Sequence, residues 1–141
     1  MTTHTSHTNR QDDAGKLLLR AALAILLLFH GISKLIGGIG FISGMLAKAG
    51  LPASLAYLVY IGEVVAPLFI LAGVFTRAAA AVVVINMIVA FLLVHTGDVL
   101  TLSKTGGWAL ELQGFYLVTA LAVALLGAGR FSLGGTGGRL N

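Results

Sequence analysis

The chain has 141 residues, 57% of them hydrophobic and 10% charged, with a formal net charge of +4 and no cysteine. Soluble domains carry about 25% charged residues, so this is the composition of a membrane protein. Lack of cysteine excludes a disulfide framework, a thiol relay, thiolate metal sites and covalent c-type haem attachment.

Residues 1–15 are polar and read as a disordered tail in which His4 and His7 are solvated. The first long apolar run follows, Leu17 to Leu35, interrupted by Arg20, His30 and Lys34. As a helix it reaches roughly 28 Å, enough to cross the hydrocarbon core. A cleaved signal peptide is disfavoured, because the A-x-A match at Ala47-Lys48-Ala49 lies well past the run. Gly37, Gly38 and Gly40 break the helix. Phe41, Ile42, Met45 and Leu46 then fall at helical spacing, as in a short interfacial helix or re-entrant turn.

A second segment extends from Pro52 to Phe75, with Glu63 near its middle and Pro67 four residues later. Proline cannot donate to the carbonyl four residues back, so the Glu63 carbonyl is freed beside the Glu63 carboxylate. Tyr60 lies three residues earlier, on nearly the same face. The third segment covers Arg77 to His95, with Asn86 central and His95 terminal. A polar loop, Thr96 to Gly107, leads to a fourth segment that opens at Trp108, carries Glu111, Gln113 and Tyr116 early, and closes at Gly127.

These patterns predict an all-α fold: a transmembrane four-helix bundle over residues 16–133, with a short interfacial or re-entrant segment between helices one and two and a flexible tail at 134–141. Four spans place both ends of the chain on one side. That side holds Arg10, Lys16, Arg20, Arg77, Arg130 and Arg139; the other holds Lys34, Lys48 and Lys104. The positive-inside rule then puts both termini in the cytoplasm, with the chain multi-pass in the membrane. The basic residues are spread over segment ends and form no stripe, so the expected surroundings are the lipid bilayer and a protein partner or second copy, with no nucleic acid.

The stretches LLLRAALAILLLFHGISKL, GLPASLAYLVYIGEVVAPLFILAGVFTR, GGWALEL and GAGRFSL, in this order and with the Asn86 segment between, resemble the DoxX family of small bacterial membrane proteins. The likeness covers nearly everything from Lys16 to Leu133; Gly134 departs from the acidic residue that often follows RFSL in the family. The resemblance implies a four-helix membrane bundle and a redox association, since relatives include a subunit of a thiosulfate:quinone oxidoreductase and others work beside thiol and superoxide defence enzymes.

Ionisable groups inside a membrane segment are expensive and mark either a function or a boundary. His30 and Lys34 share a helix face, and Arg20 lies within about a quarter turn of it. They form either an inward polar strip, able to bind an anionic or carbonyl-bearing ligand, or a pair of interface anchors in which Lys34 and Arg20 snorkel. Glu63 must be protonated, paired or hydrated, and Arg20 and Asn86 are its candidate partners. The expected site takes Glu63 and His30 as catalytic groups, with Tyr60, Lys34, Arg20 and Asn86 binding substrate, in a membrane oxidoreductase subunit that handles a quinone. His95 and Glu111 are the remaining candidates for holding a cofactor. A metal among His30, His95, Glu111 and Glu63 is disfavoured because no H-x-x-x-H or E-x-x-H spacing supports it, and a haem between His30 and His95 is disfavoured as well, since their placement permits ligation without demanding it. Glu111 also suits helix-dipole compensation. The competing reading is a non-catalytic membrane partner that anchors or assembles another protein through small-residue faces such as Gly40-x-x-x-Gly44.

Overall fold

The structure is a computed structural model that describes residues 4–135 and 137–141, with side chains described from Arg10 onward. Among these residues there are five helices and no strand. Helix α1 is His4–Gly37, α2 is Gly40–Lys48, α3 is the composite Ala53–Ala72, α4 is Thr76–Val94 and α5 is Glu111–Leu126. Helices α1, α3 and α4 contain apolar stretches long enough to cross a membrane. Helix α5 is apolar but has 16 residues, shorter than the other three. Its expected first turn, Trp108 to Leu110, lies outside the helix, because Trp108 pairs with Leu102 across the preceding loop.

α1 packs on α3 and α5, α3 packs on α4, and α4 packs on α5. The centre is built from Leu23, Leu27, Ile70, Val83 and Val123, with Ala24, Ala80 and Ala120 fully buried between the helices. Lipid tails are as apolar as leucine, so it is the small residues, by letting backbones approach, that gain packing here. Large side chains such as Ile36, Phe29, Leu92, Phe115 and Leu125 point outward, as a lipid-facing surface requires.

Helix α3 is not regular. It begins as a 3₁₀ turn, Ala53–Tyr57, passes through one α turn, widens to a π turn over Ile61–Val65, and finishes as α-helix over Ala66–Ala72. Pro67 explains the widening. In a straight α-helix its ring would press on the carbonyl of residue 63, and the π turn moves that carbonyl aside. The carbonyl then faces α1 at Gly31, where a methyl group would lie 2.3 Å from the Glu63 oxygen. Only glycine admits the backbone this closely. The helix ends at Gly73, whose left-handed backbone (φ 71°) lets Val74 N–H reach the Phe69 carbonyl.

At both chain ends the structure shows contacts that composition did not announce. Residues 4–15 continue α1 as helix, and Asp13 is buried, accepting a hydrogen bond from the Arg130 N–H at 3.2 Å. A carboxylate with a fixed donor no longer favours a solvated tail. His4 and His7 belong to the stretch whose side chains lie outside the described residues. At the other end, the glycine-rich segment folds back. Leu133 and Gly134 donate to the carbonyls of Ala72 and Gly73. The Asn141 side chain accepts from Thr76 Oγ1 at 3.0 Å, and Leu140 accepts from Arg77 N–H. The first turn of a helix has N–H groups with no partner in the helix, and these residues supply one for α4.

Candidate functional site

The polar residues of the first apolar run separate into two groups at opposite ends of the molecule. Arg20 belongs to the end that carries residues 127–141. It is buried at 1% exposure and donates to the carbonyls of Ile70 at 2.9 Å, Leu71 at 2.7 Å and Phe131. The first two belong to the last turn of α3, where the Ile70 carbonyl otherwise accepts only a long bond of 3.2 Å from the Gly73 N–H and a cation is favoured by both hydrogen bonding and the helix dipole. Arg20 therefore neither snorkels nor joins His30. It ties α1, α3 and the returning C-terminal segment together.

Lys34 lies toward the other end, and its ammonium forms an ion pair with the Glu63 carboxylate, whose side chain is 9% exposed. The partner of Glu63 is thus Lys34, not Arg20 or Asn86, and Lys34 turns inward instead of snorkelling outward. The physical reason is reach. The π turn, stationed beside Gly31, brings Glu63 against α1, and the flexible stem of Lys34, one turn from Gly31, carries its charge back along the helix to the carboxylate. The Tyr60 hydroxyl donates to the Lys34 carbonyl at 3.2 Å, fastening the same two helices one step further along.

Beside this pair is a cavity of about 620 Å³, within the range of small-molecule sites. Helices α1, α2, α3, α4 and α5 all contribute to its wall. Its polar groups are His30, Lys34, Glu63, Asn86, His95, Gln113 and Tyr116; the rest of the wall is hydrocarbon. Of the residues expected to form a site, His30, Lys34, Glu63, Asn86 and His95 therefore come together. Arg20, Tyr60 and Glu111 do not line the cavity. Asn86 is seated against Gly62, where an added methyl group would meet its Cγ at 2.4 Å. The His30 ring meets Tyr116 edge-on, with centroids 5.7 Å apart.

His95 marks the far end of the wall. Its Nδ1 is 3.2 Å from an Asp98 carboxylate oxygen and its Nε2 is 3.3 Å from Gln113 Nε2. Both ring nitrogens are engaged, so an iron ligated by His95 would have to displace one of these partners. Glu111 accepts from the Trp108 N–H at 3.0 Å, the role of an acidic residue in the first turn of a helix. Among the described residues, no three His, Cys, Asp or Glu side chains converge as a metal site. Gln113 and Tyr116 are cavity residues that the sequence reading named on the fourth segment but did not assign to the site. Their spacing of three on α5 places them on one face, but nothing in their residue types showed that this face looks onto Glu63.

The DoxX family model matches residues 15–96, more than half of the chain. The chain belongs to the DoxX family. The matched DoxX region contains α2, α3 and α4 in full, together with Arg20, His30, Lys34, Glu63, Asn86 and His95. It stops before Gln113 and Tyr116, so the α5 wall of this DoxX cavity lies beyond the match. No curated protein and no solved structure matches the chain.

Proposed function

We propose that this protein is a quinone-linked redox subunit of the bacterial cytoplasmic membrane, with its quinone bound in the cavity beside the Lys34–Glu63 pair. In this reading α5 completes a four-helix transmembrane bundle and α2 lies at the outer interface. The bias of six basic residues to three between the two ends supports cytoplasmic termini, which sets the cavity in the outer half of the bilayer.

The single observation that carries the proposal is the ion pair at the polar end of an otherwise apolar cavity. A quinone is a flat apolar ring with two carbonyl acceptors. Lys34 offers a donor to one carbonyl, and His30, Tyr116 and Gln113 offer further donors around the rest of the ring. Reduction of the ring takes up two electrons and two protons. Glu63 and Lys34 already share a proton-bearing contact, so they are placed to deliver one. The chain has no cysteine and no flavin or nicotinamide fingerprint, so the electrons are supplied by a partner redox protein.

The test uses the one tryptophan, Trp108, which stacks on Phe91 of α4 with ring centroids 5.9 Å apart. A quinone that enters the cavity quenches its fluorescence saturably. Lys34→Met is expected to weaken saturable quenching about tenfold or more, the equivalent of one lost charge-assisted hydrogen bond. Equal titrations of wild type and variant would refute the site. The assembly-partner reading would then be favoured, supported by Gly40 and Gly44 of α2, whose surroundings are open.

A further inference from the structure

The apolar half of the cavity opens sideways, and we propose that this opening is a lateral portal: the head of the ligand sits at Lys34–Glu63 while its alkyl or isoprenoid tail runs out between α3 and α4 into the bilayer. The inference rests on the quinone reading and deepens it, since it specifies a long-tailed amphiphile that never leaves the membrane and excludes a small water-borne substrate.

Three observations carry it. First, α4 packs along Ile61–Ala72 of α3, but Ala53–Tyr60 has its main packing against α2 and α1 instead. The two helices thus part just beyond the Gly62–Asn86 contact. Second, α2 bridges the gap, packing on Ala53–Tyr57 and touching α4. It roofs the opening without filling it. Third, several side chains line the cavity and are also open on the outside: Leu58 and Ile61 on α3, Ile85 and Val89 on α4, and Phe41 on α2, with exposures from 46% to 69%. A residue that faces a cavity and the exterior together marks an aperture. All five are apolar, and four belong to helices of membrane-spanning length, so this aperture meets acyl chains. His30 and Lys34 on α1 and Gln113 and Tyr116 on α5 face the cavity from the two helices that do not border this aperture. A bound amphiphile has one orientation, head inward and tail outward.

The portal gives the tail no hydrophobic gain, because leaving lipid for a leucine-like wall is close to neutral. Its effect is positional. The head reaches the ion pair while the tail keeps its lipid contacts, so binding requires no extraction of the tail from the bilayer.

The experiment uses the full chain in phospholipid vesicles and two photoreactive quinones, one with a diazirine in its alkyl tail and one with an azide on its ring. Adducts are mapped by mass spectrometry with and without excess unlabelled long-chain quinone. Tail adducts are expected at Leu58, Ile85 and Val89 and should be lost on competition. Phe115 and Val118 on α5 are exposed at 72% and 65% and lie outside the cavity; their adducts should resist competition. Ring adducts at Lys34, His30 or Tyr116 that are lost on competition report on the quinone site independently. If the ring adducts appear while tail adducts at Ile85 and Val89 resist competition as those on α5 do, the portal is wrong and the quinone site stands. If no ring adduct is competed, the quinone site fails and the portal fails with it.

Discussion

Replacing Lys34 by methionine and Glu63 by glutamine, singly and together, measures what the ion pair contributes. Lys34→Met keeps the length of the side chain and removes its charge, leaving the Glu63 carboxylate at 9% exposure without its partner. Removing one member of a buried pair costs about 3–5 kcal/mol. We therefore expect Lys34→Met to lose about 3–4 kcal/mol. Glu63→Gln should lose less, about 1–2 kcal/mol. Lys34 is 28% exposed in the pair and three residues from the end of α1, so its ammonium can turn toward the boundary. The double variant has no charge to leave behind and should lose about 1 kcal/mol, giving a coupling of roughly 3–5 kcal/mol between the sites. Unfolding by SDS titration in mixed micelles, followed by helical circular dichroism, reads all four proteins on one scale. Losses that simply add, with a coupling under about 0.5 kcal/mol, would refute the pairing and the electrostatic reasoning built on it.

Arg20→Met should destabilise the fold by about 3 kcal/mol or more, because carbonyls on α3 and at Phe131 lose a charged donor; limited proteolysis should show earlier cleavage at residues 133–138 than in wild type, and unchanged cleavage would contradict the tie. Gly62→Ala places a methyl group 2.4 Å from the Asn86 Cγ, so a loss of about 1–3 kcal/mol is expected, with Gly62→Ala/Asn86→Ala recovering part of it in the same titration. Additive losses would show that the two residues do not touch. For the membrane orientation, a cysteine at Ser103 should react with an impermeant thiol reagent in intact cells while one at Gly137 should not; the reverse pattern would invert the topology.

Much of this architecture could be read from residue order because lipid imposes simple rules. A run such as Leu17 to Leu35 has few alternatives to a spanning helix, and the glycines at 37, 38 and 40 and the Gly73 turn mark where helices stop. Pro67 and Glu63 were legible as a disturbed, polar place in a helix. What the residues did not reveal was direction. Lys34 reads from its position near a helix end as an interface anchor, and only the close approach of α3 at Gly31 shows that it turns inward. Arg20 was equally opaque. Its partners are main-chain carbonyls at a helix end and in a loop, available because of geometry and not because of any side chain type. The fold-back of residues 133–141 escaped for a similar reason. Glycine-rich composition suggests freedom, yet here the backbone itself makes the contacts.

The anchoring of Arg20 also sets an order of events in biosynthesis. Its acceptors lie 50, 51 and 111 positions further along the chain. When α1 first meets the membrane, none of them has been made. A guanidinium in that state reaches for the water boundary, where its charge is tolerated. It can settle only after the end of α3 arrives, and the third contact closes only when the residues after α5 have emerged. The first helix to be made is thus among the last to complete its contacts.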